Sequence, residues 1–533
     1  MHGIEFAYVG MEIEVQMGSW YKYIKKFNGN DEESIRQMIP NERVYHWIEA
    51  EVPKFECPDK IIEETYYFRW WTFRKHIKET PKGRIITEFL PKVSWAGPFN
   101  SINAASGHHI AEARWLIQDR DLAKEYIFFW LKGEGDEKSY SSWIIFSVYQ
   151  YALVLGDKGF AISLLPQLET YYERVKESNL AQCGLFWSDD DRDAMERSIS
   201  GCGLRPTLNS YMFANAYALA RIASWAKDAT LQRKYEEIAN QLKENILDFL
   251  WDEQGSFFKV IPQVSKDNVQ NMKFEDIPPK HNVREAIGYI PWSFSIAQEE
   301  NDVAWKYLMD ERYFKAPCGP TTAERNHPSF MKPCESHECL WNGPSWPFAT
   351  TQTLNGLIEL LQGGRDRYIG KEDFLELLQT YSKSHYRQDE KKGMINWIDE
   401  NLEPDTGQWL SRDILKEWNW RVDKGGVERG KDYNHSTFCD LVIRGICGVV
   451  IDEEEQLTVN PLIPEEKWDY FLLENLPYKG HKITIGVDKD GTRYNKGKGF
   501  FVEIDGELKV KEEEIRKVSI QLKREELDLP FSS

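Results

Sequence analysis

Along this 533-residue chain the spacing of apolar residues changes once, and that change constrains the fold more than any other feature. From about residue 100 to about residue 450, apolar side chains recur at three- and four-residue steps, the period of an amphipathic helix. Leu231, Tyr235, Ile238, Leu242, Ile246 and Phe249 form one such run and are predicted to share one buried helical face. AEARWLIQDRDLAKEYIFFWL and SYSSWIIFSVYQYALVLGD read as a helix pair, the second stopping at Gly-Asp. FATTQTLNGLIELLQGG, stopped by its glycines, and STFCDLVIRGICGVV are further helices. Roughly ten to twelve helices separated by long loops fit this stretch. After Asp452 the period shortens: LTVNPLIP, YFLLENLPYKG, HKITIGVDKDG, GFFVEIDGEL and VSIQLKREEL alternate between Pro, Gly and Asp-Gly turns. The pattern predicts a mainly α chain that ends in a small antiparallel β domain.

At 62.5 kDa the chain is too long for one ordinary core, so two or three domains are expected. The boundaries read as 1–90, a mixed segment packing on the body; 91–452, the helical body; and 453–533, a β-sandwich-like domain. Within the first segment FAYVGMEIEVQ reads as strand and IEETYYFRWWTFRKHIKE as an aromatic helix. A helix-pair body of this length is expected to close into a toroid of inner and outer helices, with a pocket at one end of the inner ring. Loops at that end would carry the chemistry, since packed helices hold them in place.

Composition narrows the partners. A formal charge of −19 argues against nucleic acid and anionic membrane, because phosphate binding needs clustered Lys and Arg. No run of about eighteen apolar residues predicts a transmembrane helix, and the N-terminus lacks the basic and apolar regions of a signal peptide. The eight scattered cysteines suit a reduced, cytoplasmic protein in which they are small buried hydrophobes. CESHEC, Cys334 to Cys339, offers two sulfurs and His337 with Cys318 upstream, but lacks a second paired motif at zinc spacing, so no metal is assigned. Twenty Trp mostly serve core packing, yet such rings also stack on the apolar faces of sugars.

Three stretches carry chemistry. DAMERS (193–198) and NWIDENLEPDTG (396–407) are acidic, and LWNGPSWPF (340–348) is a Trp-rich Gly-Pro turn that can line a carbohydrate pocket. Cleavage of a glycosidic bond needs two carboxyl groups flanking it, one as acid and one as base or nucleophile. Together the stretches point to a glycosidase acting on a carbohydrate substrate without a cofactor. An acidic loop such as SDDDRD could still coordinate a structural Ca²⁺.

The order of four motifs, DAMERS, LWNGPSWPF, ENLEPDTG (400–407) and DYNHSTFCDLVI (432–443), resembles glycoside hydrolase family 63 and its mannosylglycerate-hydrolase-like relatives, with trehalases and glucoamylases more distant. The family patterns are "xGMDNS", "WRGPxW" and "ENYxPxTG". The resemblance spans about residues 90–450 and implies an (α/α)6 toroid, an exo-acting glycosidase and inversion of the anomer. It places the general acid on Glu196, where relatives carry Asp, and the base on Glu400. Asp193, one helical turn earlier, is the rival acid, while Asp399, Glu403 and Asp405 compete with Glu400. Asn342 stands where relatives carry Arg, removing a fork of donors and implying a different sugar or hydroxyl pattern. Trp341 and Trp346 remain as stacking platforms.

Polar clusters supply further candidates for substrate binding: Trp95, Asn100, His108, His109 and Arg114; Arg205, Asn209 and Tyr211; and Tyr433, Asn434 and His435. In the mechanism expected here, Glu196 protonates the leaving oxygen while Glu400 deprotonates a water on the opposite face. The acid needs a raised pKa, expected from burial beside rings such as Phe186 or Trp187. Two rivals are a polysaccharide lyase or sugar epimerase using His108, His109, Tyr and Arg114 or Arg205, and a non-catalytic carbohydrate-binding protein.

Overall fold

The computed structural model describes residues 18–522 other than 134, 271, 335 and 336. The strand expected at FAYVGMEIEVQ lies outside the described residues. The aromatic stretch after it forms the helix Lys60–Phe73, whose first N–H groups are taken by the Asp59 side chain, accepting from Ile61 and Ile62. Its residues are buried almost all round, as a helix enclosed by others must be.

The body is helix-rich. Ser106–Ala113 packs on Ile144–Leu155, which packs on Pro206–Trp225, then Ile290–Ser293, then Pro347–Gln362, then Cys439–Leu441, and this last touches Ser106–Ala113 again. Lys60–Phe73, Asp121–Leu131, Leu165–Asn179, Ala229–Leu250 and Lys371–Lys383 each pack against a neighbour. Lys60–Phe73 packs on both Lys371–Lys383 and Cys439–Leu441, so residues before position 90 take part in closing the body.

Two helical expectations shift. The first predicted helix of the 111–131 pair is broken in two, ending at Ala113 and restarting at Asp121. The break is held by Glu51, whose carboxylate accepts the N–H groups of Gln118 and Asp119 at 2.9 and 2.8 Å, while its carbonyl takes that of Ile117. Backbone groups with such partners gain nothing from staying helical. In Ala229–Leu250 the buried face runs through Tyr235, Ala239, Leu242, Ile246 and Leu250, and Phe249 is 38% exposed. Packing rotated the face by one position, a choice the periodicity left open.

At the end of the chain a five-stranded antiparallel sheet has the order Lys54–Glu56, Tyr470–Tyr478, His481–Asp488, Gly499–Ile504, Glu507–Glu512. Its first strand is borrowed from the start of the chain, Phe55 facing Leu473. Tyr478 pairs with His481 across Lys479 and Gly480, both at positive φ, the two-residue turn that matches the twist of a hairpin. A three-stranded sheet, Val449–Val450, Gln456–Val459 and Val518–Gln521, lies beside it in the chain. No helix among the described residues is long and apolar enough to cross a membrane.

Candidate active site

The three stretches singled out in the sequence converge because their backbones are stitched together. Trp341 N–H donates to the Glu196 carbonyl at 3.1 Å, and Ser345 and Leu402 exchange both backbone hydrogen bonds. The acid loop is an excursion between Trp187–Ser188 and Gly203–Leu204, which pair with each other. Its turns need left-handed residues at Ala194 and Arg197.

These loops enclose a cavity of about 390 Å³ lined among others by Glu88, Trp95, Tyr140, Glu196, Glu338, Cys339, Trp341, Trp346, Lys424, Arg429, Tyr433 and His435. Trp341 and Trp346 stack with ring centres 4.3 Å apart, and Trp346 Nε1 donates to the Leu340 carbonyl. Gly343 sits at φ +153, and a Cβ there would meet Phe330 and Met331, so the turn that presents both indoles requires glycine.

Glu196 is partly exposed in this wall. Burial pushes its carboxyl up to about 8, with the charges of Asp191 and Glu400 adding to the shift. The rings beside the site are Tyr140, Trp341 and Phe348 rather than the expected Phe186 and Trp187, which lie outside the cavity lining. Asn209 clasps the Phe186 backbone, and Trp187 Nε1 donates to the Gln263 carbonyl. Glu400 is fully buried and outside the cavity lining, behind Arg429 and Cys339, which do line it. Arg429 Nε donates to its Oε1 at 2.6 Å, and Cys339 Sγ lies 3.4 Å from its Oε2. Arg429 also reaches Glu338 at 3.0 Å, and Lys424 reaches the same carboxylate at 2.7 Å. Burial would raise Glu338, but these two cations outweigh it and hold the carboxyl below its ordinary range.

Several candidates lie elsewhere. Asp193 is outside the cavity lining: it is 4% exposed, 2.6 Å from Arg205 Nε, and also accepts from Ser141 and Thr207 hydroxyls. Arg205 and Asp193 thus staple the acid loop to the helix Pro206–Trp225, and Asn209 ties that helix to Phe186. Asn100 clasps the loop that carries Trp95, accepting from Val93 N–H and donating to the Phe89 and Pro91 carbonyls. Asn342 turns away, donating to the Lys332 carbonyl at 2.8 Å. His109 is hydrogen-bonded to Tyr126 and to the Asn434 carbonyl. His108 and Arg114 line a different, smaller cavity with Asp440 and Arg444. Burial holds His108 and His109 down to about 3 and about 4, so both are neutral imidazoles. Tyr211 meets Gln352 in the core, whereas Tyr433 and His435 do reach the cavity. Burial likewise holds His435 well below its ordinary range, outweighing the Glu400 carbonyl.

Glu403 accepts the N–H groups of Asp405 and Thr406, and Asp405 pairs with Arg325, so both serve the turn that follows Glu400. Asp399 is buried beside Arg412; burial pushes it up to about 6. No group of three or more His, Cys, Asp or Glu among the described residues could hold a metal ion. Glu88, Tyr140, Glu338, Cys339, Lys424 and Arg429 escaped sequence reasoning. Glu338 and Cys339 sat inside CESHEC, where only the two sulfurs and His337 were weighed, as metal ligands, and Arg429 lies four residues before Tyr433. Glu88 carries no periodic or motif signal.

The family model of the mannosylglycerate hydrolase MGH1-like glycoside hydrolase domain matches residues 98–436, and that of the glycosyl hydrolase family 65 C-terminal domain matches 451–511. The chain therefore belongs to the MGH1-like glycoside hydrolases. Among solved structures, one described as a sialidase is 37% identical with a TM-score of 0.85, covering 95% of this chain. This chain spans only 44% of that protein. A GH78 rhamnosidase of Bacillus sp. GL1 is 13% identical with a TM-score of 0.50, over 82% of this chain and 40% of its own. An α-L-rhamnosidase of Dictyoglumus thermophilum is 11% identical at 0.50, over 88% and 49%. The two rhamnosidases share the fold.

Proposed function

We propose that this member of the MGH1-like glycoside hydrolases cleaves a glycosidic bond at a chain end or in a small glycoside, inverting the anomeric carbon. Glu196 is the general acid and Glu400 the general base. The observation that carries this reading is a Glu196 carboxyl pushed up to about 8 in the same cavity wall as a stacked Trp pair, with Glu400 fixed behind it by Arg429. A carboxyl raised that far holds its proton at neutral pH and can hand it to a leaving oxygen. Inversion requires carboxyl groups roughly 6.5–9.5 Å apart to admit water. A cavity of about 390 Å³ falls in the range of small-ligand sites, which suits exo action. The closed circuit of six contacting inner helices supports an (α/α)6 toroid, in which this cavity lies at one end. His108 and Arg114 face the other cavity and His109 is saturated with hydrogen bonds, which favours hydrolysis over proton abstraction by histidine.

The substrate is an uncharged glycoside. Of the cations lining the cavity, Lys424 and Arg429 are held by Glu338 and Glu400, and Arg192 is exposed at the rim, donating to the Ser139 carbonyl. Anionic groups such as glycerate or a sialic acid would face Glu338, Asp189 and Asp191 instead. A panel of neutral aryl glycosides, mannosylglycerate and aryl sialosides tests the class, and proton NMR of the first-released anomer tests inversion. Glu196→Gln should lose about 10²–10⁴-fold on ordinary leaving groups yet recover on a dinitrophenyl glycoside, which needs no acid. Equal losses on both leaving groups would remove Glu196 from the acid role.

A further inference from the structure

Glu88 lines the cavity, is 4% exposed, and belongs to none of the motifs that mark the catalytic pair. Its Oε1 accepts from the Tyr433 hydroxyl, and its Oε2 has no hydrogen-bond partner among the described residues. The carboxyl is not loosely placed. The Glu88 carbonyl accepts from Asn434 N–H at 3.1 Å, the adjacent Thr87 carbonyl accepts from Asn434 Nδ2, and Thr87 N–H donates to the His76 carbonyl. Phe89 and Tyr433 pack beside it with ring centres 4.9 Å apart. A buried polar oxygen without a partner is rare in a native fold and marks a place where something else completes the hydrogen bonding.

We propose that Glu88 is a specificity-determining residue that anchors one hydroxyl of the bound sugar, the substrate supplying the partner that Oε2 lacks among the described residues. The inference rests on the reading of this cavity as a glycoside site. Burial, with Glu400 and Glu196 adding their charge against the pull of Tyr433, pushes the carboxyl up to about 8. At neutral pH Glu88 is therefore a carboxylic acid that donates as well as accepts, and it adds no negative charge beside the base. A site built to hydrogen-bond a hydroxyl discriminates strongly against the analogue that lacks it, because its own polar group is then left unpaired.

The test pairs Glu88→Ala and Glu88→Gln with the p-nitrophenyl glycopyranoside turned over fastest and its monodeoxy analogues. We expect Glu88→Ala to lower kcat/KM about 30–300-fold on the parent, while one deoxy analogue is turned over within threefold by wild type and variant alike. Glu88→Gln, whose amide still donates and accepts, should lose less. Equal loss on every analogue, or no loss on any, would overturn the proposal. Should Glu88→Ala fail to fold, Glu88→Gln carries the same deoxy contrast, and an even loss across its analogues counts against the proposal.

Turnover of no glycoside at all would sink the hydrolase reading without deciding this one. Titration of free mannose, glucose and rhamnose into wild type and Glu88→Gln, followed by Trp fluorescence, then decides it. A roughly tenfold weaker Kd in the variant supports the anchor. Equal affinities, or no binding to the wild type, overturn it.

Discussion

Replacing Arg429 by Met removes the guanidinium that touches both Glu338 and Glu400. Arg429 is 2% exposed and lies 2.6 Å from Glu400 and 3.0 Å from Glu338, with Trp95 4.6 Å from its guanidinium carbon. The two carboxylates do not lose equally. Glu338 keeps Lys424 at 2.7 Å, whereas Glu400, fully buried, is left with the Cys339 thiol and no cation. Removing one partner of a buried pair costs about 3–5 kcal/mol, because the remaining charge stays desolvated. For a chain of 533 residues the unfolding entropy is about 1.1 kcal/mol per degree, so Tm should fall by about 3–5 °C. Methionine fills most of the stem's volume, which keeps the loss electrostatic. The decisive measurement is a double-mutant cycle: Glu400→Gln alone should destabilise the protein, but in the Arg429→Met background it should recover about 2–3 kcal/mol by urea unfolding. If Arg429→Met costs under 1 kcal/mol, or Glu400→Gln gives no recovery, the ion pair does not hold Glu400 in place.

Glu196 must be protonated to act as the acid, so the alkaline limb of kcat/KM should fall as pH rises through about 8; no fall up to pH 9.5 would remove it from that role. Glu88 holds its proton in the native state up to about 8, while the unfolded chain releases it near 4.3. Its contribution to stability is therefore fully present below about pH 4.3 and declines as pH rises toward 8. Glu88→Gln should flatten that decline between pH 5 and 9, read as Tm against pH. Asp193→Asn leaves buried Arg205 without its charge partner, so it should lower stability by about 3–5 kcal/mol. Once folded at low temperature it should keep most of its turnover per native molecule; normal turnover by Glu196→Gln with none by Asp193→Asn would exchange their roles.

Much of the site was legible because its residues fall within motifs. Glu196, Trp341, Trp346, Tyr433 and His435 were all marked by short patterns and all meet at one cavity. Glu88, Glu338 and Arg429 were not, because what selects them is a partner far along the chain: Glu88 meets Tyr433, and Arg429 meets Glu400 and Glu338. Their own neighbours in sequence give no period or spacing to read. The converse also holds. Asn100, Asn209, His109 and Asp193 look like site residues in sequence, since polar side chains among helices suggest function. Their hydrogen bonds instead fasten loops to helices, a role visible only once both partners are placed.

The sequence by itself determined the change from a helical body to an alternating β end, because a period of three to four or of two is a local property of the chain. It also marked part of the cavity wall, Glu196 with Trp341 and Trp346. Tertiary structure decided the rest. It broke the 111–131 segment at Gln118, where Glu51 offers acceptors, and drew residues 54–56 into the terminal sheet. It separated Glu196, lining the cavity, from Asp193, three positions earlier and locked to Arg205. Local pattern specifies which faces must be buried and which groups need partners, but the identity of the partner depends on distances that exist only after the chain has closed on itself.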